Sequence, residues 1–239
     1  RISSHAFNDC TNLKTVEIQN NSKLNTIEKF AFFNCAFKNI TIPTDVTMIG
    51  CSAFNQCVNL EVVSFAQNSK LSLIEDCSFC KTSITSIKIP SKVTKIGDGC
   101  FYHCNNLKSV CFLENSELKE ICRDAFFETA IESIEIPEKV TVIGERAFKK
   151  CKKLKTLKFS ENSKLSRICE ESFMNTLIES VFIPTEVSTI ETMAFFDCPK
   201  LATVTFSEHS KLETLNDCSF SKCMFKSVIV PKSVSVASF

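Results

Sequence analysis

The sequence is poor in most of what catalysis and membrane insertion require. Across 239 residues there is no tryptophan, one tyrosine (Tyr102), four glycines and three histidines (His5, His103 and His209). So few glycines leave no loop to cradle a phosphate, and no G-x-S-x-G or H-E-x-x-H segment occurs. A Cys–His dyad needs its partners within hydrogen-bond reach, and adjacent side chains such as His103 and Cys104 diverge. An enzyme is therefore not expected, nor any cofactor. Neither sign of charge dominates: 28 Lys and Arg oppose 27 Asp and Glu, for a net +1. Nothing favours nucleic acid or an anionic membrane as partner. No apolar run approaches the roughly 20 residues of a membrane span. The first residues lack the pattern of a signal peptide.

What the chain has in excess is phenylalanine, 22 residues, and cysteine, 15 residues. A repeat explains both. Pro43, Pro90, Pro137, Pro184 and Pro231 stand 47 residues apart each time. Asn21, Asn68, Asn115 and Asn162 keep the same period, as do Leu24, Leu71, Leu118, Leu165 and Leu212. Each period divides into two related units of 23 and 24 residues, with Phe54 matching Phe79 and Cys57 matching Thr82. The pattern gives about ten coils in one continuous domain, 1–239, with no linker or low-complexity tract. The first coil is partial, and a stub follows Pro231. The ends carry no polar cap of the kind solenoids need, so an excerpt of a longer protein, or self-association through open ends, is expected.

Segments such as L-x-x-V-x-F and I-x-x-I-x-I alternate apolar and polar residues, which predicts one short strand per coil. Stacked coils would align these strands in a parallel sheet about 4.8 Å apart, with right-handed crossovers. The I-G-x-x-A-F-x-x-C stretch is too short for a free helix and reads as a turn or short 3₁₀ piece. Gly50, Gly97 and Gly144 are expected to take backbone angles that other residues avoid. One Phe per coil, from Phe7 through Phe220, forms a spine.

Cys10, Cys35, Cys57, Cys104, Cys151, Cys198 and Cys223 share one column with Thr82, Thr129 and Thr176, which reads as a small buried position. Disulfides between stacked neighbours are possible but disfavoured, because such side chains point the same way. Cys77, Cys80, Cys100 and Cys104 approach zinc-site spacing. The repeat register assigns Cys100 and Cys104 to the core instead, so no metal is expected. Asn20-Asn21-Ser22 and Asn39-Ile40-Thr41 match the N-glycosylation pattern.

Ile89 through Leu107 read IPSKVTKIGDGCFYHCNNL, and Ile136 through Leu154 read IPEKVTVIGERAFKKCKKL. These segments resemble the BspA-like, treponemal-type leucine-rich repeat, and the resemblance covers essentially the whole chain. It implies an α/β-type leucine-rich repeat solenoid: a right-handed, curved superhelix with a concave parallel β-sheet and turns or 3₁₀ pieces outside. It also implies a cell-surface or secreted protein that adheres to host, matrix or cell-surface proteins. The alternating N-S-K-L half resembles versions from parasitic protists. An intracellular, cytoplasmic scaffold is the alternative, and many free thiols favour it.

Residues beside the central apolar position of each strand face away from the core. One such column is nearly uniform and small: Thr15, Asn39, Val62, Ser86, Ser109, Ser133, Thr156, Ser180, Thr203 and Ser227. The other varies along the chain, and from it Lys88, Glu135, Lys158, Phe182, Thr205 and Ile229 are the candidate ligand-binding residues. An apolar side chain such as Phe182 or Ile229 on a solvent face suggests a partner.

Overall fold

The computed structural model describes residues 1–19 and 21–237. Asn20, and with it the first glycosylation pattern, lies outside the described residues, as do 238–239 of the stub. The chain winds into stacked coils whose strands build two parallel sheets. Eight four-residue strands run Asn39–Ile42, Val62–Phe65, Ser86–Ile89, Ser109–Phe112, Ser133–Ile136, Thr156–Phe159, Ser180–Ile183 and Thr203–Phe206. Ten two-residue strands, from Thr26–Ile27 through Val142–Ile143 to Val236–Ala237, form the second sheet.

This corrects the expected α/β architecture. Instead of one strand per coil with 3₁₀ pieces outside, the molecule is an all-parallel β-solenoid with no helical residue among those described. The reason lies in the I-G-x-x-A-F-x-x-C segment. Its N–H groups alternate between two kinds of acceptor. Cys77, Phe79 and Lys81 donate across to Asp98, Cys100 and Tyr102 of the next coil at 2.8–2.9 Å, whereas Ser78, Cys80 and Thr82 donate locally to the residue three back. A helix would need every N–H for itself. In addition, two residues per coil, four apart, sit in the left-handed region, for example Cys77 (φ 54) and Lys81 (φ 56), or Arg146 (φ 54) and Lys150 (φ 60). Such angles are costly for non-glycine residues. The inter-coil bond donated by each of these residues offsets that cost.

The conserved geometry of the turn also changes the role assigned to the glycines. Gly50, Gly97 and Gly144 do not have positive φ; among the glycines only Gly99 does. Space is what demands them. A Cβ on Gly144 would lie 2.7 Å from the carbonyl carbon of Cys122 and 2.8 Å from the Arg123 nitrogen, both backbone atoms of the preceding coil. Glu191 occupies the same column without glycine, and its carboxylate accepts from the Glu170 N–H at 3.0 Å.

The core runs the length of the stack. From Phe7 to Phe220 the spine rings stack in succession with centroids 5.1–5.5 Å apart and planes within 12° of parallel. The rings from Phe32 to Phe195 are fully buried. In the cysteine column, every thiol from Cys35 onward points at a carbonyl of the coil before it. Cys57 donates to Phe32 at 2.9 Å, Cys104 to Phe79 at 3.0 Å and Cys151 to Phe126 at 3.1 Å. Thr82 Oγ1 donates to Phe79 at 2.9 Å. The column therefore holds Cys or Thr, small side chains whose own buried donor finds a spine carbonyl to bond. All fifteen thiols are free. Burial pushes the Cys104 and Cys151 thiols up from their usual 9.0 to about 11.

The two coil types differ in their loops. After a long strand ending in Ile the loop to the short strand has five residues (43–47, 90–94, 137–141), beginning with the buried Pro. After one ending in Phe it has seven (66–72, 113–119, 160–166), carrying the Asn-Ser pair. The return segment compensates only partly, with twelve residues (50–61) against eleven (75–85). The alternation of 23 and 24 residues is the net of these two differences. Seven-residue loops thus alternate with five-residue ones from coil to coil.

Candidate functional site

The eight-stranded sheet turns one face to the core and the other to solvent, because strand side chains alternate. Its long strands show this directly: in Ser86–Ile89, Ile87 and Ile89 are buried while Ser86 and Lys88 are exposed. Lys88, Glu135, Lys158, Phe182 and Thr205 all stand on this exposed face. Register places Lys88 beside Cys111, Glu135 beside Lys158 and Phe182 beside Thr205. The Phe182 ring is 54% exposed, with no second aromatic stacked on it among the described residues. Ile229 is 89% exposed but lies outside the sheet, because no long strand forms over 227–230. The segment of Thr15 and Glu17 likewise forms no strand. End coils have a stacking neighbour on one side only, so the ladder has eight rungs where ten were expected. Asn39 and Thr41 of the second glycosylation pattern are both exposed, on the first long strand.

Along the longer loops this face carries two hollows that the sequence pattern alone did not reveal. One of about 720 Å³ lies between the seven-residue loop at 66–72 and Leu113 of the next such loop, with Lys88, Pro90 and Lys92 between them. A second of about 570 Å³ lies between the loop at 113–119 and Ser160, lined by Glu135, Pro137 and Glu138. Each lining position of the second is 47 residues beyond its counterpart in the first: Phe65 becomes Phe112, Lys88 becomes Glu135 and Leu113 becomes Ser160. The signal was present in the 47-residue period, but the loop-length difference had to be located before it could be read.

The chemistry on offer here is recognition. Hydroxyls, lysines, carboxylates and apolar groups line the face; His5 and His103 lie in the turns, and His209 in the last seven-residue loop, at the place of Asn68 and Asn115. The zinc-like cysteines belong to the core and its edge: Cys80, Cys100 and Cys104 are buried and Cys77 is half-buried, with its thiol hydrogen-bonded to that of Cys80. Among the described residues no group of three or more His, Cys, Asp and Glu is arranged to hold a metal ion. No helix there is long and apolar enough to cross a membrane.

The BspA type leucine rich repeat region matches this sequence in six copies, over residues 1–108, 72–167 and 119–238. The chain belongs to the BspA-type leucine-rich repeat family. Comparison with curated proteins brings no match. Among solved structures, the pneumococcal vaccine antigen PcpA is similar at 23% identity with a TM-score of 0.62, over 83% of this chain and 52% of that one. This BspA-type chain thus spans about half the length of that antigen. A leucine rich cell surface protein from Faecalibacterium prausnitzii is similar at 25% identity with a TM-score of 0.50, over 89% of this chain and 72% of that one. Both are bacterial, and a protist origin finds no support in them. The chain is built from the coils that define this family.

Proposed function

We propose that this BspA-type chain is a recognition and adhesion module of a cell-surface or secreted protein. It binds host, matrix or cell-surface proteins through the exposed face of the long-strand sheet, the face expected to be concave. The observation that carries this reading is Phe182, a large ring 54% exposed on a face otherwise dominated by small hydroxyl residues. An aromatic in that position is the usual anchor of a protein interface. Lys158, one strand away, and Lys88 and Glu135 further along add charges for selectivity. The similarity to a cell surface protein of Faecalibacterium prausnitzii supports the location. The cytoplasmic alternative drew on the free thiols. Six of these, in the buried column, are accounted for as donors to backbone carbonyls, a role that requires no reducing compartment.

The test is adhesion of beads carrying the chain to matrix-coated surfaces and to intact cells, with the wild type beside Phe182→Ser. The variant is expected to bind about fivefold or more weakly, corresponding to roughly 1 kcal/mol, with an unchanged melting temperature. Equal adhesion, or a melting temperature that falls with adhesion, would overturn the assignment of this face.

A further inference from the structure

We infer that the ligand of this face is an extended peptide in the polyproline II conformation, bearing an acidic, a basic and an apolar side chain at three-residue intervals. The inference rests on the recognition face proposed above and specifies its ligand.

The first argument is spacing. The two hollows are offset by 47 residues, that is, by two coils. Parallel strands lie about 4.8 Å apart, so successive hollows are about 9.6 Å apart. Three residues of polyproline II advance about 9.3 Å. Three residues of a β-strand advance a similar distance, about 9.9 Å, but they are excluded by direction. Strand side chains alternate faces, so every third one points away from the surface. Polyproline II has three residues per turn, so every third side chain falls on the same face. Such a peptide addresses one hollow after another with a single edge. It also arrives with its backbone already ordered, which lowers the entropic cost of binding.

The second argument is charge. The hollow at Lys88 also contains Lys92 and no carboxylate. Neither lysine has an ion-pair partner among the described residues. The next hollow reverses the sign: Glu135, Glu138 and Glu114 line it, and its one lysine, Lys139, is engaged by Glu117 at 2.7 Å. One period further on, the same position is Phe182, and the nearby Glu186 is held by Lys211 at 2.8 Å. The two hollows, and the exposed ring one period beyond them, therefore call for an anion, a cation and an apolar group. A polysaccharide of uniform units would meet like hollows with like chemistry, and these are unlike. A heteropolymer whose side chains differ at each step is the better match.

The probe is a synthetic peptide with Asp, Lys and Leu at every third position of a proline run, made in both chain directions because polyproline II ligands dock in either. A control carries the same residues at two-residue spacing. Binding is read by titration calorimetry or fluorescence anisotropy. One direction is expected to bind at least tenfold more tightly than the control. Lys88→Glu should weaken it at least tenfold, and Glu135→Lys likewise, both with unchanged melting temperatures. The double variant should prefer the peptide with Asp and Lys exchanged. Binding that ignores spacing, or that does not follow the exchange of charge, overturns the inference. So does binding of a sulfated polysaccharide that is lost in Lys88→Glu while both peptides fail. If Phe182→Ser abolishes adhesion while all peptides are ignored, the recognition face stands and only the ligand conformation is wrong. If adhesion and peptide binding are both indifferent to the face, both readings fail.

Discussion

Charges are handled differently on the two sides of each coil. On the turn side several are matched between neighbours. Arg146 makes a two-pronged contact with Asp124 at 2.9 and 3.0 Å, Lys149 meets Glu171 at 2.7 Å, and Lys150 meets Glu128 at 2.8 Å. Each of these pairs spans one coil boundary. On the exposed face of the long-strand sheet, Lys88, Glu135 and Lys158 make no such pair among the described residues. The turn side completes itself, whereas the face leaves its charges to be completed by something else. Repetition follows the same division. Positions that touch the next coil, whether Phe, Ile, Cys or Gly, recur along the chain, while the outward column changes at each rung.

The sharpest way to break the turn-and-core side is to remove one ring from the spine. Phe126→Ala at an interior coil is expected to cost about 3–5 kcal/mol, measured by denaturant unfolding. A loss under about 1 kcal/mol would mean that the stack relaxes around the gap. Alkaline titration comes next. The folded-state values of Cys104 and Cys151 are raised from 9.0 to about 11. Below pH 9 their contribution to stability is fully present. Above it the unfolded chain loses thiol protons that the folded chain keeps, so stability falls as pH rises toward 11, by about 3 kcal/mol per thiol at most. Stability that stays flat from pH 8 to 11 would contradict these buried, donating thiols. Gly144→Ala, which forces a Cβ against the backbone of the preceding coil, should cost about 1–3 kcal/mol. The smallest effect sharpens the comparison from the other side. Phe182→Ser should change stability by less than about 0.5 kcal/mol, because its ring is exposed and the neighbouring rungs do not depend on it.

Much of this division was legible in the amino-acid order, and the rest was hidden for identifiable reasons. The Phe spine, the cysteine column and the outward column all follow from a period that five prolines mark without interruption. The second sheet was not legible, because two residues such as Val142–Ile143 are too few to show an alternation. The left-handed pairs were hidden because residues such as Phe30, Arg146 and Met193 carry no turn signature of their own. Their angles are imposed by hydrogen bonds to another coil, which local propensity does not register. The glycine column was visible, but crowding and backbone freedom leave the same mark in a sequence, and only the 2.7 Å approach separates them. Within the candidate site, the face residues could be named, yet Ile229 was placed on a rung that does not form. The hollows depend on a two-residue loop difference masked by a one-residue compensation elsewhere in the coil.

The alternation of five- and seven-residue loops also sets the smallest piece in which such a molecule can be inherited. Deleting or duplicating a single coil would bring two loops of the same kind together and either merge two hollows or erase one. Deleting or duplicating a pair restores every inter-coil contact and moves the downstream surface by one whole step. A gene built this way lengthens and shortens in two-coil units, and each event adds or removes one reading position while leaving its neighbours in phase.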